Sequence, residues 1–130
     1  MVRRVCLDSN VLIALLNKDE PTRELLSTID AQLFTTSIGT FEVWYGRKKS
    51  EVVFELLEWL EKLDFDDTCA RIAGDIMRDL KSKGKMIDIR DAFIAAICIK
   101  NGIELLTYNT KHFERLNEFG LILVDTIGKR

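Results

Sequence analysis

The run Val5-Cys6-Leu7, followed at once by Asp8-Ser9-Asn10 and then by Val11-Leu12-Ile13, constrains the fold more than any other stretch. Val2 leads into it past the Arg3-Arg4 pair. An apolar run of this length reads as a short buried strand, and the polar triplet reads as a tight turn into a helix. Ser9 or Asn10 is the expected helix cap. Asp8 is left at the strand's carboxyl end, the edge where ligands bind in open α/β sheets. It is therefore either a turn residue or part of a site.

The pattern repeats along the chain. Further strands are expected over 31–36, 63–66, 103–107 and 121–124. Helices are expected over 10–17, 21–29, 38–48, 52–60, 67–83 and 91–100, with a short turn reaching Leu116. Asp19 and Ser37 are cap candidates, and Gly84 and Gly102 are helix stops. Strands separated by helices predict an α/β fold: a three-layer α/β/α sandwich on a mainly parallel sheet of four or five strands. At 130 residues the chain reads as one domain. No P-loop or GxGxxG run follows the first strand, so a nucleotide cofactor has no visible seat.

Charge and thiol content narrow the chemistry. The formal net charge is −2, so any nucleic-acid contact must rest on a local basic patch or a bound metal. Cys6, Cys69 and Cys98 stand in apolar surroundings without metal-ligand spacing, as core thiols of a reducing cytoplasm do. One histidine, His112, rules out a multi-histidine zinc site. No apolar run approaches the roughly 18 residues that a membrane span needs. The expected location is cytoplasmic.

Acids collect where strands end. Asp8 follows the first strand, and Glu42 lies five residues beyond Ser37 in the helix after the second. Asn109 follows the strand that ends at Thr107. These three can share the carboxyl edge. Asp91 opens the helix that leads into the 103–107 strand, and simple crossover reasoning places it at the opposite edge unless that helix lies across the top. Asp88 stands three residues before it. Oxygen ligands without histidine or thiolate suit magnesium or manganese. Converging carboxylates raise one another's pKa, a cost that a divalent ion removes. Such an ion also activates water and neutralises phosphate oxygens, which suggests phosphodiester hydrolysis. With 21 Asp and Glu, a chance scatter of surface acids is the competing reading.

With these residues in place, the chain resembles the PIN-domain ribonucleases, in particular the toxin subunits of VapBC-type toxin–antitoxin systems. Four motifs in order carry the likeness: Leu7-Asp8-Ser9-Asn10-Val11-Leu12-Ile13, Ser37 with Glu42, Asp91-Ala92-Phe93-Ile94-Ala95-Ala96, and Thr107-Tyr108-Asn109 with Phe113 after Gly102. The resemblance implies a metal-dependent endoribonuclease in which the Asp91 carboxylate does reach the acidic pocket. Two positions depart from the family pattern. Asn109 puts an amide where the family has a fourth acid, which weakens a second metal site. Asp88 stands where toxins often carry glycine; it is either an added rim carboxylate or a solvent-facing turn residue.

On this reading Asp8, Glu42 and Asp91 are the catalytic acids. Asp8 and Asp91 bind Mg2+ or Mn2+, and Glu42 is either a ligand or the group that orients the attacking water. Ser9, Thr107, Asn109 and Asp88 support them, and His112 is a helix-start or surface residue. Arg47, Lys48, Lys49, Lys81, Lys83 and Lys85 are candidate RNA contacts. Phe41, Trp44, Phe54, Leu57 and Trp59 crowd two neighbouring helices, beyond what a thin sandwich must cover. They suit a homodimer or the groove for a small antitoxin protein. Two other readings share the pattern: a non-catalytic RNA- or protein-binding module of the same fold, and another metal-dependent DNA or 5′ nuclease.

Overall fold

The computed structural model describes residues 2–46 and 50–125. Four short strands, β1 (Arg4–Leu7), β2 (Gln32–Thr36), β3 (Glu61–Leu63) and β4 (Glu104–Leu106), form one parallel sheet in the order β3-β2-β1-β4. Strand β1 is interior, and Val5, Cys6 and Leu7 are fully buried, as the apolar run requires. Residues 121–124, expected as a fifth strand, make one parallel bridge between Leu105 and Leu123. They flank β4 without extending the sheet further.

Alternation along β1 divides the core into two layers. Val5 and Leu7 face α1 (Ser9–Leu16), α2 (Glu20–Thr28), α3 (Ser37–Gly46) and α4 (Glu51–Trp59), packing with Val11, Leu12, Val43 and Leu57. Cys6 faces α5 (Asp67–Ser82), α6 (Ile89–Asn101) and α7 (Thr110–Phe113), among Ile76, Ile94, Cys98 and Phe113. The result is the three-layer sandwich. Leu57, expected on an outer apolar face, lies instead in the first of these cores at 5% exposure. No helix among the described residues is long and apolar enough to cross a membrane.

Capping corrects several expected boundaries. The cap of α1 is Asp8, whose carboxylate accepts from Ser9 N–H at 2.9 Å; Ser9 and Asn10 lie inside the helix. Ser37 likewise falls inside α3, and Thr36 Oγ1 accepts from Gly39 N–H at 2.9 Å. Strand β3 comes earlier than the Leu63–Asp66 alternation suggests, because Asp66 is drawn out of the sheet to cap α5 through Cys69 N–H.

Gly39 is where α3 presses on the sheet. A Cβ there would stand 2.6 Å from Thr35 Oγ1, and that hydroxyl is held by a 2.9 Å bond to the Leu7 carbonyl. The neighbour is buried and committed, so Gly39→Ala should destabilise the fold by about 1–3 kcal/mol despite alanine's better helix propensity. Urea denaturation of the two proteins measures this, and an unchanged midpoint would show that α3 can slide.

Candidate active site

The carboxyl edge of the sheet gathers the site. Asp8 directly follows β1 and is 5% exposed, unusual for a carboxylate. Thr107 Oγ1 donates to Asp8 Oδ2 at 2.7 Å and accepts from Asn10 Nδ2 at 3.2 Å and from Asn109 N–H at 3.1 Å. Asn10 Oδ1 accepts from Tyr108 N–H at 3.1 Å. The first turn of α1 is thus sewn to the segment after β4, and Asp8 is held in the seam. Asn10, which the sequence pattern offers only as a cap candidate, is a functional residue that sequence reasoning misses. Its adjacency to Asp8 was visible, but its partners lie 97 and 98 residues away.

Glu42 lies on α3 facing this seam. The nearby Ser9 side chain favours the charged form of its carboxylate, while its Oε1 is buried and makes no hydrogen bond. Arg90 Nη1 stands 3.5 Å from Glu42 Oε2.

Asp91 is the third residue of α6, not its opening residue, and it lies at the carboxyl edge rather than the opposite one. The reason is direction. Helix α6 passes through Gly102, at φ 61°, almost directly into β4. A helix that feeds a strand through so short a turn runs antiparallel to it, so its first turn stands beside the strand's far end. Asp88 caps α6, accepting from Arg90 N–H at 2.8 Å, and is a half-exposed turn residue paired with the Arg90 side chain. His112, read from the sequence as a surface residue, is largely exposed but sets Nδ1 3.7 Å from Asp91 Oδ2. A cavity of about 430 Å³ lies against Asp91, Asp88, His112, Arg115, Met86 and Ile87.

Burial pushes all three carboxyls up from their ordinary range. For Asp8 the Thr107 and Ser9 hydrogen bonds oppose that push. For Glu42 and Asp91 the charge of Asp8 adds to it, and Arg90 opposes it in both. The three acids therefore sense one another.

The donor set, all oxygen with one buried carboxylate oxygen left without a partner, fits a hard divalent cation. Among the described residues no three His, Cys, Asp or Glu side chains form a ready metal cage. A cation here would complete its shell with water, as magnesium commonly does.

The remaining candidates are spread out. Asn109 is exposed at the start of α7, and its side chain makes no capping bond. Lys83 is held by Asp79 at 2.9 Å and Glu118 at 3.2 Å. Lys81 and Lys85 line a groove with Met77, Arg78, Met86 and Ile87. Arg47, Lys48 and Lys49 lie outside the described residues.

Residues 5–118 match the model of the PIN domain. The chain belongs to the PIN-domain family. Within that family it is closely related to VapBC-type toxin subunits. It is 34% identical over 125 residues to Ribonuclease VapC1 of Methanocaldococcus jannaschii, covering 94% of this chain and 88% of the relative. It is 32% identical over 118 residues to the tRNA(fMet)-specific endonuclease VapC of Salmonella typhimurium, covering 85% and 89%. The crystal structure of DNA-bound VapBC from Salmonella typhimurium superposes with a TM-score of 0.77 at 28% identity, covering 96% of this chain and 98% of that one.

Proposed function

We propose that this PIN-domain protein is a metal-dependent endoribonuclease and the toxin of a toxin–antitoxin pair. The observation that carries the reading is the buried Asp8 carboxylate, locked by Thr107 at the carboxyl edge and electrostatically linked to Glu42 and Asp91. Burying like charges together is costly unless a cation or a reaction uses them. The relatives named as ribonucleases support RNA as the substrate.

Asp8 and Asp91 would hold Mg2+ or Mn2+, and the unpartnered Glu42 Oε1 is free to join them or to orient a water molecule. The ion, when bound, supplies positive charge against phosphate oxygens and acidifies water. The Thr107 hydroxyl and the Ser9 N–H fix the Asp8 carboxylate that faces it. Arg115 lines the cavity beside Asp91, where its guanidinium can meet an entering phosphate.

A protein partner is supported by an exposed apolar surface. Phe41 and Tyr45 stack at 5.6 Å on α3, and Val52, Phe54 and Trp59 stand exposed on α4. A small antitoxin or a second copy of the chain would cover them.

Incubation of purified protein with total RNA tests the activity. Cleavage should require Mg2+ or Mn2+, stop with chelator, and return on adding the metal. Chelator-resistant cleavage would sink the metal-dependent mechanism. Manganese binding without any cleavage would favour the non-catalytic module.

A further inference from the structure

Arg90 stands between two acids of different kinds. Its Nε is 3.4 Å from Asp88 Oδ1, and its Nη1 is 3.5 Å from Glu42 Oε2. Asp88 is the α6 cap, and the same Oδ1 accepts from Arg90 backbone N–H at 2.8 Å. The helix start thus aims the guanidinium across the mouth of the acidic cluster. The Arg90 side chain is 51% exposed, whereas Glu42 is only 18% exposed. The cation therefore approaches from solvent and touches a catalytic candidate whose other oxygen is buried without a hydrogen bond. A contact of 3.5 Å made by a half-exposed side chain is weak enough to open.

We propose that Arg90 is a built-in competitor for the divalent ion: it holds Glu42 in the metal-free protein and must release that carboxylate for the ion to take it. This rests on the metal-dependent reading of the site. Arg90 acts through Glu42 and is a positioning residue. A guanidinium cannot be deprotonated to leave, so the exchange is cation for cation. Once displaced, Arg90 remains tethered by Asp88 at the rim, where a substrate phosphate would pass. The arginine therefore lowers metal affinity in the free protein.

Calorimetric titration of Mn2+ into the wild type, Arg90→Gln and Arg90→Lys is the test. Arg90→Gln should bind Mn2+ about 5-fold tighter, on the scale of one partly screened charge contact. The gain should persist at about 0.5 M salt, where effects of distant charges fade but a direct contact survives. Arg90→Lys should fall between the two, because it keeps the charge and loses the fork. In parallel, the Arg90 Nη–H resonances, which report the Glu42 contact, should move on adding Mg2+ to the wild type and should move in metal-free Glu42→Gln. Equal isotherms for wild type and Arg90→Gln would overturn the competition and leave the metal site intact. A gain confined to low salt would reduce Arg90 to one more surface charge and likewise overturn it. Absence of Mn2+ binding in all three proteins would overturn the metal reading and this inference together.

Discussion

Replacing Asp8 with Asn should lower RNA cleavage by at least ~100-fold while leaving the fold intact. The activity loss follows from its position. Asp8 is the most buried of the three acids and is held in one orientation by Thr107, so an amide there removes a negative charge where preorganisation is greatest. Stability is expected to move the other way. Asn can still accept from Ser9 N–H to cap α1. It cannot repel Glu42 and Asp91, both of which Asp8 pushes upward. Raised folded-state pKa values mean that the native chain keeps its protons longer than the unfolded chain. In the metal-free wild type, stability should therefore fall as pH rises from the ordinary carboxylate range through the raised folded values. Asp8→Asn should flatten that decline. Circular dichroism melts across pH, run beside the cleavage assay, check both halves. Full activity in a folded Asp8→Asn protein would remove Asp8 from the mechanism.

What the sequence made legible was whatever depends on periodicity and on glycine stops. The Val5-Cys6-Leu7 run identified an interior strand because apolar residues on consecutive positions need cover on both faces. The apolar α6 and the stop at Gly102 were equally plain, since a glycine in the left-handed region ends a helix at low cost. Direction was harder. Simple crossover reasoning misplaces Asp91 because it overlooks that α6 runs antiparallel to β4, which sets the helix's first turn beside the strand's far end.

Asn10, Arg90 and His112 were not legible for a shared reason. Each matters through a side-chain contact that no period reports. Asn10 meets a loop 97 residues on, Arg90 reaches back to Glu42 on another helix, and His112 of α7 comes up against Asp91 in the first turn of α6. The reverse error fell on Leu57, whose helix shows apolar residues on more than one face. Composition could not say that Leu57 turns inward while Phe54 and Trp59 stay exposed.

Thr107→Val should cost about 2–3 kcal/mol, a fall in melting temperature on the order of 10 °C, although the two side chains have nearly the same shape. Thr107 is 1% exposed, so water does not replace its hydroxyl. That hydroxyl donates to Asp8 Oδ2 and accepts from Asn10 Nδ2 and Asn109 N–H. Asn109 is exposed and finds water readily. Asp8 Oδ2 keeps only the 3.5 Å approach of Asn10, so a buried charged oxygen is left nearly bare. The penalty should depend on pH in a defined sense. The Thr107 bond favours the charged form of Asp8 and opposes the upward push of burial. Its contribution is therefore present above the folded-state pKa of Asp8 and fades as pH falls through it. The stability difference between wild type and Thr107→Val should be largest at neutral pH and shrink in acid. Thr107→Ser, which keeps the hydroxyl, should lose little at any pH. Cleavage should fall at least ~10-fold in the valine variant, because a loosened Asp8 no longer holds its productive geometry. Denaturant titrations at several pH values, with the serine variant alongside, test this chain of effects. A penalty that stays constant with pH would mean that Thr107 serves packing alone and that the Asp8 charge is held by its other partners.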